Sequence, residues 1–183
     1  YYAATDRLTL SGNFSYTETE YGEDYFVFTV DDPINPVPVF GTFTQGFVSA
    51  QVTDPSQASD YTVNLKGGPL KGIPEEKATI RVSYEQDTRF GPLYYLLSHS
   101  YTGDFSASGI QRPLDRIDSR ETTNLNISWY SQDGNLSLRA YVDNLFDNDN
   151  YYALSTGDHE TNYRKSVTAL PPRVMGLDIR YRF

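Results

Sequence analysis

The chain has 183 residues, a length that suits about one domain, and 38% of them are hydrophobic, which is too apolar for a disordered chain. Asp and Glu number 24 against 15 Lys and Arg, a net charge of -9, so the clustered cations that nucleic acid needs are lacking and no nucleic-acid partner is expected. The absence of Cys removes disulfides, thiol catalysis and Cys-ligated zinc, and no apolar run approaches the roughly 18 residues of a membrane-spanning helix.

Apolar residues recur at every second position, the period of a strand. From Arg7 to Glu20, Leu8, Leu10, Gly12, Phe14 and Tyr16 share one face, opposed by Arg7, Thr9, Ser11, Asn13 and Ser15. Ala78, Ile80, Val82 and Tyr84 then oppose Thr79, Arg81, Ser83 and Glu85. Between Leu93 and Phe105 the pattern is less clean. His99 shares a face with Leu93, Tyr95, Leu97 and Tyr101, and a bulge there would shift the register. Leu125, Ile127 and Trp129 follow, then Leu136, Leu138, Ala140 and Val142, and finally Met175, Leu177, Ile179, Tyr181 and Phe183. Six strands are predicted.

Their connections alternate in length. Those between Asp87 and Pro92 and between Gln132 and Asn135 are short and rich in turn formers. The others are long. They run from about Tyr21 to Pro74, which holds most of the prolines, from about Gly103 to Glu121, and from about Asn148 to Pro171. Short turns at one end and long loops at the other predict an all-β fold, the antiparallel wall of a transmembrane β-barrel with one lipid face and one polar lumen face. A soluble β-sandwich shows the same alternation. Aromatics at strand ends on the apolar face (Tyr16, Tyr84, Trp129, Tyr181 and Phe183) favour the barrel, as an interfacial girdle.

The last sixty residues resemble the C-terminal end of TonB-dependent outer-membrane receptors. The carrying residues are Asn144-Leu145-Phe146-Asp147, then Tyr151-Tyr152, Pro172-Arg173 with Gly176 and Leu177, and Tyr181-Arg182-Phe183. Upstream, Leu65-Lys66-Gly67-Gly68-Pro69-Leu70 and Ile73-Pro74 resemble a loop-to-strand entry of the same barrels. The resemblance implies a wall fragment of a barrel of about 22 strands, with residues 1–183 forming the C-terminal part and the N-terminal plug domain absent. It implies a Gram-negative outer-membrane location and a transporter, not an enzyme, importing an external small molecule such as an iron chelate, a cobalamin or an oligosaccharide. Its implied partners are outer-membrane lipid, the rest of the same receptor, TonB acting through that missing part, and the barrel-assembly machinery. Leu177, Ile179, Tyr181 and Phe183 look like the signal which that machinery reads.

Arginine and tyrosine in the long loops suit anionic or catecholate ligands through charge-assisted bonds and stacking. Arg112, Arg116 and Arg120 in the second loop, and Tyr151, Tyr152, Tyr163, Arg164 and Lys165 in the third, are the candidates for ligand binding. No catalytic residue, metal site or cofactor is expected. His99 lies between Ser98 and Ser100, but neighbours in a strand point to opposite faces, so neither serine can meet it. A small outer-membrane barrel enzyme and a soluble β-sandwich ligand-binding module are nevertheless alternative functions. His159, between Asp158 and Glu160, reads as a solvated loop tip. Asp143, Asp147 and Asp149 lack the glycine and closing glutamate of an EF-hand.

Overall fold

The structure, a computed structural model, describes residues 2–3, 5–28, 62–156 and 164–183. Its strands, in chain order, are β1 (Tyr2–Ala3), β2 (Leu8–Tyr16), β3 (Phe26–Phe28), β4 (Thr62–Asn64), β5 (Glu76–Thr88), β6 (Gly91–Thr102), β7 (Phe105–Ser106), β8 (Arg116–Ile117), β9 (Arg120–Tyr130), β10 (Leu136–Asp143), β11 (Tyr151–Thr156), β12 (Lys165–Ala169) and β13 (Val174–Tyr181). Helical structure among the described residues is confined to one 3-10 turn at Pro113–Asp115.

One antiparallel sheet dominates, in the order β1-β2-β5-β6-β9-β10-β13. Its six long strands are the six segments whose alternation predicts strand. The two-residue β1 is a seventh member, too short for periodicity to reveal. The sheet is open among the described residues, with β1 at one edge and β13 at the other.

Pairing sets the faces. In the register Leu10↔Val82, Val82↔Leu97, Leu97↔Leu125, Leu125↔Val142 and Val142↔Met175, one row runs across the sheet on the apolar side. Next to it, Ser83↔Leu96, Leu96↔Asn126, Asn126↔Tyr141 and Tyr141↔Gly176 run across the other side. No bulge occurs near His99. The β5–β6 pairing is continuous from Lys77↔Thr102 to Thr88↔Gly91, so His99 lies on the apolar side opposite Ile80.

Among the described residues nothing packs upon the apolar side. Phe14 is 66% exposed, Ile80 55% and Ile179 66%, and Leu8, Val82, Leu125, Ile127, Leu138 and Val142 are all partly exposed. A sandwich would bury these side chains in a dry core. Among the described residues the buried apolar side chains are instead Leu65 and Ile117, both outside the large sheet. An apolar face of this extent, uncovered among the described residues, is the pattern of a barrel wall that faces hydrocarbon.

Both short turns sit at one end. Arg89 and Phe90 join β5 to β6, and the Thr88 hydroxyl donates to the Gly91 carbonyl at 2.6 Å. Pro92, expected in the turn, instead pairs with Asp87 in the ladder. The second turn is built on Asp133. Its carboxylate accepts the Ser131 hydroxyl and the Asn135 amide, and these bonds hold its pKa below the usual carboxylate value. The Gln132 side chain donates to the Arg89 carbonyl, tying the two turns together.

The long connections carry structure that periodicity could not reveal, because each piece is too short. β3 pairs with β4, β7 with β8, and β11 with β12. Most of the first loop, residues 29–61, lies outside the described residues, as do 157–163, which include His159.

Candidate functional site

The site candidates cluster where these loops meet, at the end of the sheet opposite the short turns. The stem of the first loop is zipped together by backbone bonds. Tyr21 donates to Gly68, Gly67 to Tyr21, and Leu65 to Tyr25, while the Tyr21 and Tyr25 rings stack at 5.7 Å. It docks on the second loop through Gln111, whose side chain donates to the Pro69 carbonyl, and through the Gly72 amide, which donates to Ser106.

Asp115 joins the second loop to the third. It is 1% exposed, and its carboxylate accepts Arg112 Nε at 2.7 Å, the Thr156 hydroxyl at 2.9 Å and Lys165 Nζ at 3.3 Å. Burial pushes the Asp115 carboxyl up, but these donors outweigh it, and the net pKa shift is downward. A buried carboxylate with its donors satisfied works as a clasp. The Lys165 ammonium also contacts the Leu114 carbonyl.

The expected ligand-binding residues divide accordingly. Arg112 is buried and ion-paired within the clasp, and Arg116 is ion-paired with Asp104. Tyr151, Tyr152 and Arg164 are exposed, and Lys165 is engaged with Asp115. Tyr163 lies outside the described residues. Arg120 is distinct. Its guanidinium lies 5.7 Å from the Phe105 ring, and its buried Nη1 has no hydrogen-bond partner.

Asn144 and its neighbours form a knot where β10 leaves the sheet. Asn144 is 5% exposed and has a positive φ of 52°, a conformation asparagine tolerates better than most residues. Its side chain donates to the carbonyls of Asn148 and Pro171 and accepts from the Asn148 amide. Asp147 accepts the Arg173 amide at 2.8 Å, and its carboxylate faces the Arg173 guanidinium at 3.8 Å. Asn144, Asp147 and Arg173 therefore fasten the ends of the third loop. The Asp147 charge is met by Arg173, and among the described residues no group of acidic or histidine side chains could hold a metal ion.

His99 Nδ1 meets the Thr123 hydroxyl across the ladder at 2.9 Å. Among the described residues no carboxylate hydrogen-bonds His99, so a nucleophile–base–acid set is not assembled there. Ser100 points to the opposite face, toward Thr79 at 3.4 Å. On β13, Leu177, Ile179 and Tyr181 lie exposed on the apolar face, and Phe183 meets Tyr181 edge to face at 5.0 Å.

No protein-family model and no curated protein matches the chain. Solved structures do. The ferric yersiniabactin uptake receptor FyuA from Yersinia pestis aligns with 65% of this chain at 22% identity and a TM-score of 0.57. The ferric-catecholate import receptor Fiu from Escherichia coli K12 aligns with 98% of it at 16% identity, also with a TM-score of 0.57. The fold is that of a stretch of TonB-dependent receptor barrel wall. The chain spans 18% of the length of FyuA and 19% of that of Fiu. In such a wall the polar side of the sheet is the lumen side and the apolar side faces lipid.

Neither the loop clasp nor the grouping of Lys71 and Lys77 with Arg120, itself a candidate from the sequence, could be read beforehand. The Arg-x-x-Asp spacing of Arg112 and Asp115 is the only local hint of the clasp. Lys71 and Lys77, which share a hollow with Arg120, carry no motif at all.

Proposed function

We propose that this chain is the C-terminal part of an outer-membrane active transporter that binds an external ligand at its loop end and imports it with TonB-coupled energy. The observation that carries this reading is the open antiparallel sheet, apolar on one side and polar on the other, with short turns at one end and a loop layer at the other. Earlier strands of the same receptor would close the wall, and a plug domain would occupy the lumen and couple to TonB. The likeness to FyuA, a ferric yersiniabactin uptake receptor, and to Fiu, a ferric-catecholate import receptor, favours an iron chelate over a cobalamin or an oligosaccharide. Tyr151, Tyr152, Arg164 and Arg120 remain available to a ligand. The outward row of β13, with Leu177, Ile179, Tyr181 and Phe183, is the proposed contact for the barrel-assembly machinery. The experiment is uptake of labelled iron chelates by iron-starved cells that produce or lack the full receptor, with and without TonB. Uptake that requires both supports the reading. Unchanged uptake of iron chelates, cobalamin and oligosaccharides in receptor-free cells overturns it.

A further inference from the structure

Lys77, Thr102 and Arg120 are consecutive partners across three strands, and all three lie on the lumen side at the loop end of the wall. The two cations are thus two strand spacings apart, about 10 Å between backbones, and both side chains are long enough to converge on one ligand. They line a hollow of about 550 Å³ together with Lys71, Phe105 and Tyr152.

Its electrostatics are unusual for this protein. The chain carries a net charge of -9, yet no Asp or Glu lines this hollow while three cations do. Among the described residues, none of the three is ion-paired, whereas Arg112 and Arg116 of the same loop as Arg120 both are. Arg120 Nη1 is buried with no hydrogen-bond partner, a state that costs free energy until an acceptor arrives. Phe105 beside Arg120 and the exposed Tyr152 supply flat surfaces next to that charge.

We infer that this hollow is an anion-binding site in which Lys71, Lys77 and Arg120 hold the oxygens of a multiply charged ligand that carries aromatic rings, while Phe105 and Tyr152 pack against those rings. The site rests on the transport reading and refines it. It selects an anionic chelate over a neutral one, and it places the contact on the lumen side, not on the ion-paired Arg112 and Arg116.

The test uses the full receptor in detergent and follows quenching of its tyrosine and tryptophan fluorescence. The probes are trianionic ferric tris(catecholate) and neutral ferric tris(acetohydroxamate). The native receptor binds the anionic probe more tightly, with an affinity that falls as salt rises. Lys77→Gln/Arg120→Gln weakens that binding at least ~10-fold, because two charge-assisted bonds are lost. Arg89→Gln, in the short turn at the far end, leaves it unchanged. Heat-modifiable migration on a gel reports whether each variant is folded, and Lys71→Gln, at an exposed loop position, gives a milder loss if the double variant does not assemble. Equal binding of the anionic probe by native and variant receptors overturns the site. So does equal binding of the two probes, or binding of neither, by the native receptor. Receptor-dependent uptake in whole cells would in those cases leave the transport reading standing.

Discussion

The ring of Tyr141 lies across Gly176 of the neighbouring strand, so that a Cβ on Gly176 would stand 2.3 Å from its Cζ and hydroxyl oxygen. The two residues are direct partners in the β10–β13 ladder, on the lumen side. Arg139 sits 5.2 Å from the same ring and is itself paired with Asp178 at 2.6 Å. The absent side chain of Gly176 thus makes room for a large one, and the ring covers backbone that glycine leaves bare.

Gly176→Ala therefore displaces the far end of the tyrosine side chain, which can swing aside, and costs about 1–2 kcal/mol of stability. In Tyr141→Ala the clash is gone, so Gly176→Ala on that background costs less than it does alone. The measurement is a double-mutant cycle in urea unfolding of the full receptor. Strict additivity would show that the two residues do not interact.

Gly91, which opens β6 directly after the first short turn, and Gly134, within the second, both have positive φ, 124° and 71°, but they differ in surroundings. A Cβ on Gly91 would lie only 1.9 Å from the Tyr130 carbonyl oxygen, an atom of rigid backbone, while nothing lies within 4 Å of one on Gly134. Gly134→Ala costs about 1 kcal/mol, the penalty for a side chain in a left-handed conformation. Gly91→Ala costs more than the roughly 1–3 kcal/mol of backbone strain alone, and most of the protein fails to assemble. Comparable yields of folded receptor from the two variants would contradict this.

Asn144→Ala removes two donations, to the carbonyls of Asn148 and Pro171, and one acceptor for the Asn148 amide, a loss of about 0.5–1.5 kcal/mol per hydrogen bond. Asn144→Gly keeps the positive φ and loses the same bonds, so both variants loosen the third loop. The check is hydrogen exchange at the Asn148 amide and the Leu170 amide, which bonds Asn150. Protection unchanged in both variants would show that Asn144 does not fasten the loop.

Asp115 gives the clasp a pH dependence of definite sign. Its folded pKa is depressed, so its contribution is fully present above the unfolded carboxylate value and is lost as pH falls through the lower, folded value. Protease cleavage of the loops should rise only in that acidic window. Asp115→Asn should make the loops cleavable at neutral pH and remove the acid dependence. Cleavage of the native loops that begins near neutrality would point to a different titrating group.

The sequence by itself determined the six long strands, their two faces and the position of both short turns. These follow from a local rule: successive side chains of a strand point to opposite sides, so a wall between lipid and a polar lumen must alternate residue by residue. Alternation also marked Gly176 within the last strand, but not why glycine stands there. That depends on Tyr141, 35 positions earlier, being its ladder partner. Register at His99 likewise waited for the pairing with β5 and β9, since a bulge leaves little trace in sequence. In the loops local rules gave least. Arg112, Arg116 and Arg120 look alike in sequence, yet Asp115 neutralises the first, Asp104 the second, and the third faces a hollow without a carboxylate. Asp115 meets Thr156 and Lys165 from 41 and 50 residues away. Which charges are spent within the protein and which stay unpaired is set by how separate loops dock, and docking is a property of the tertiary structure alone.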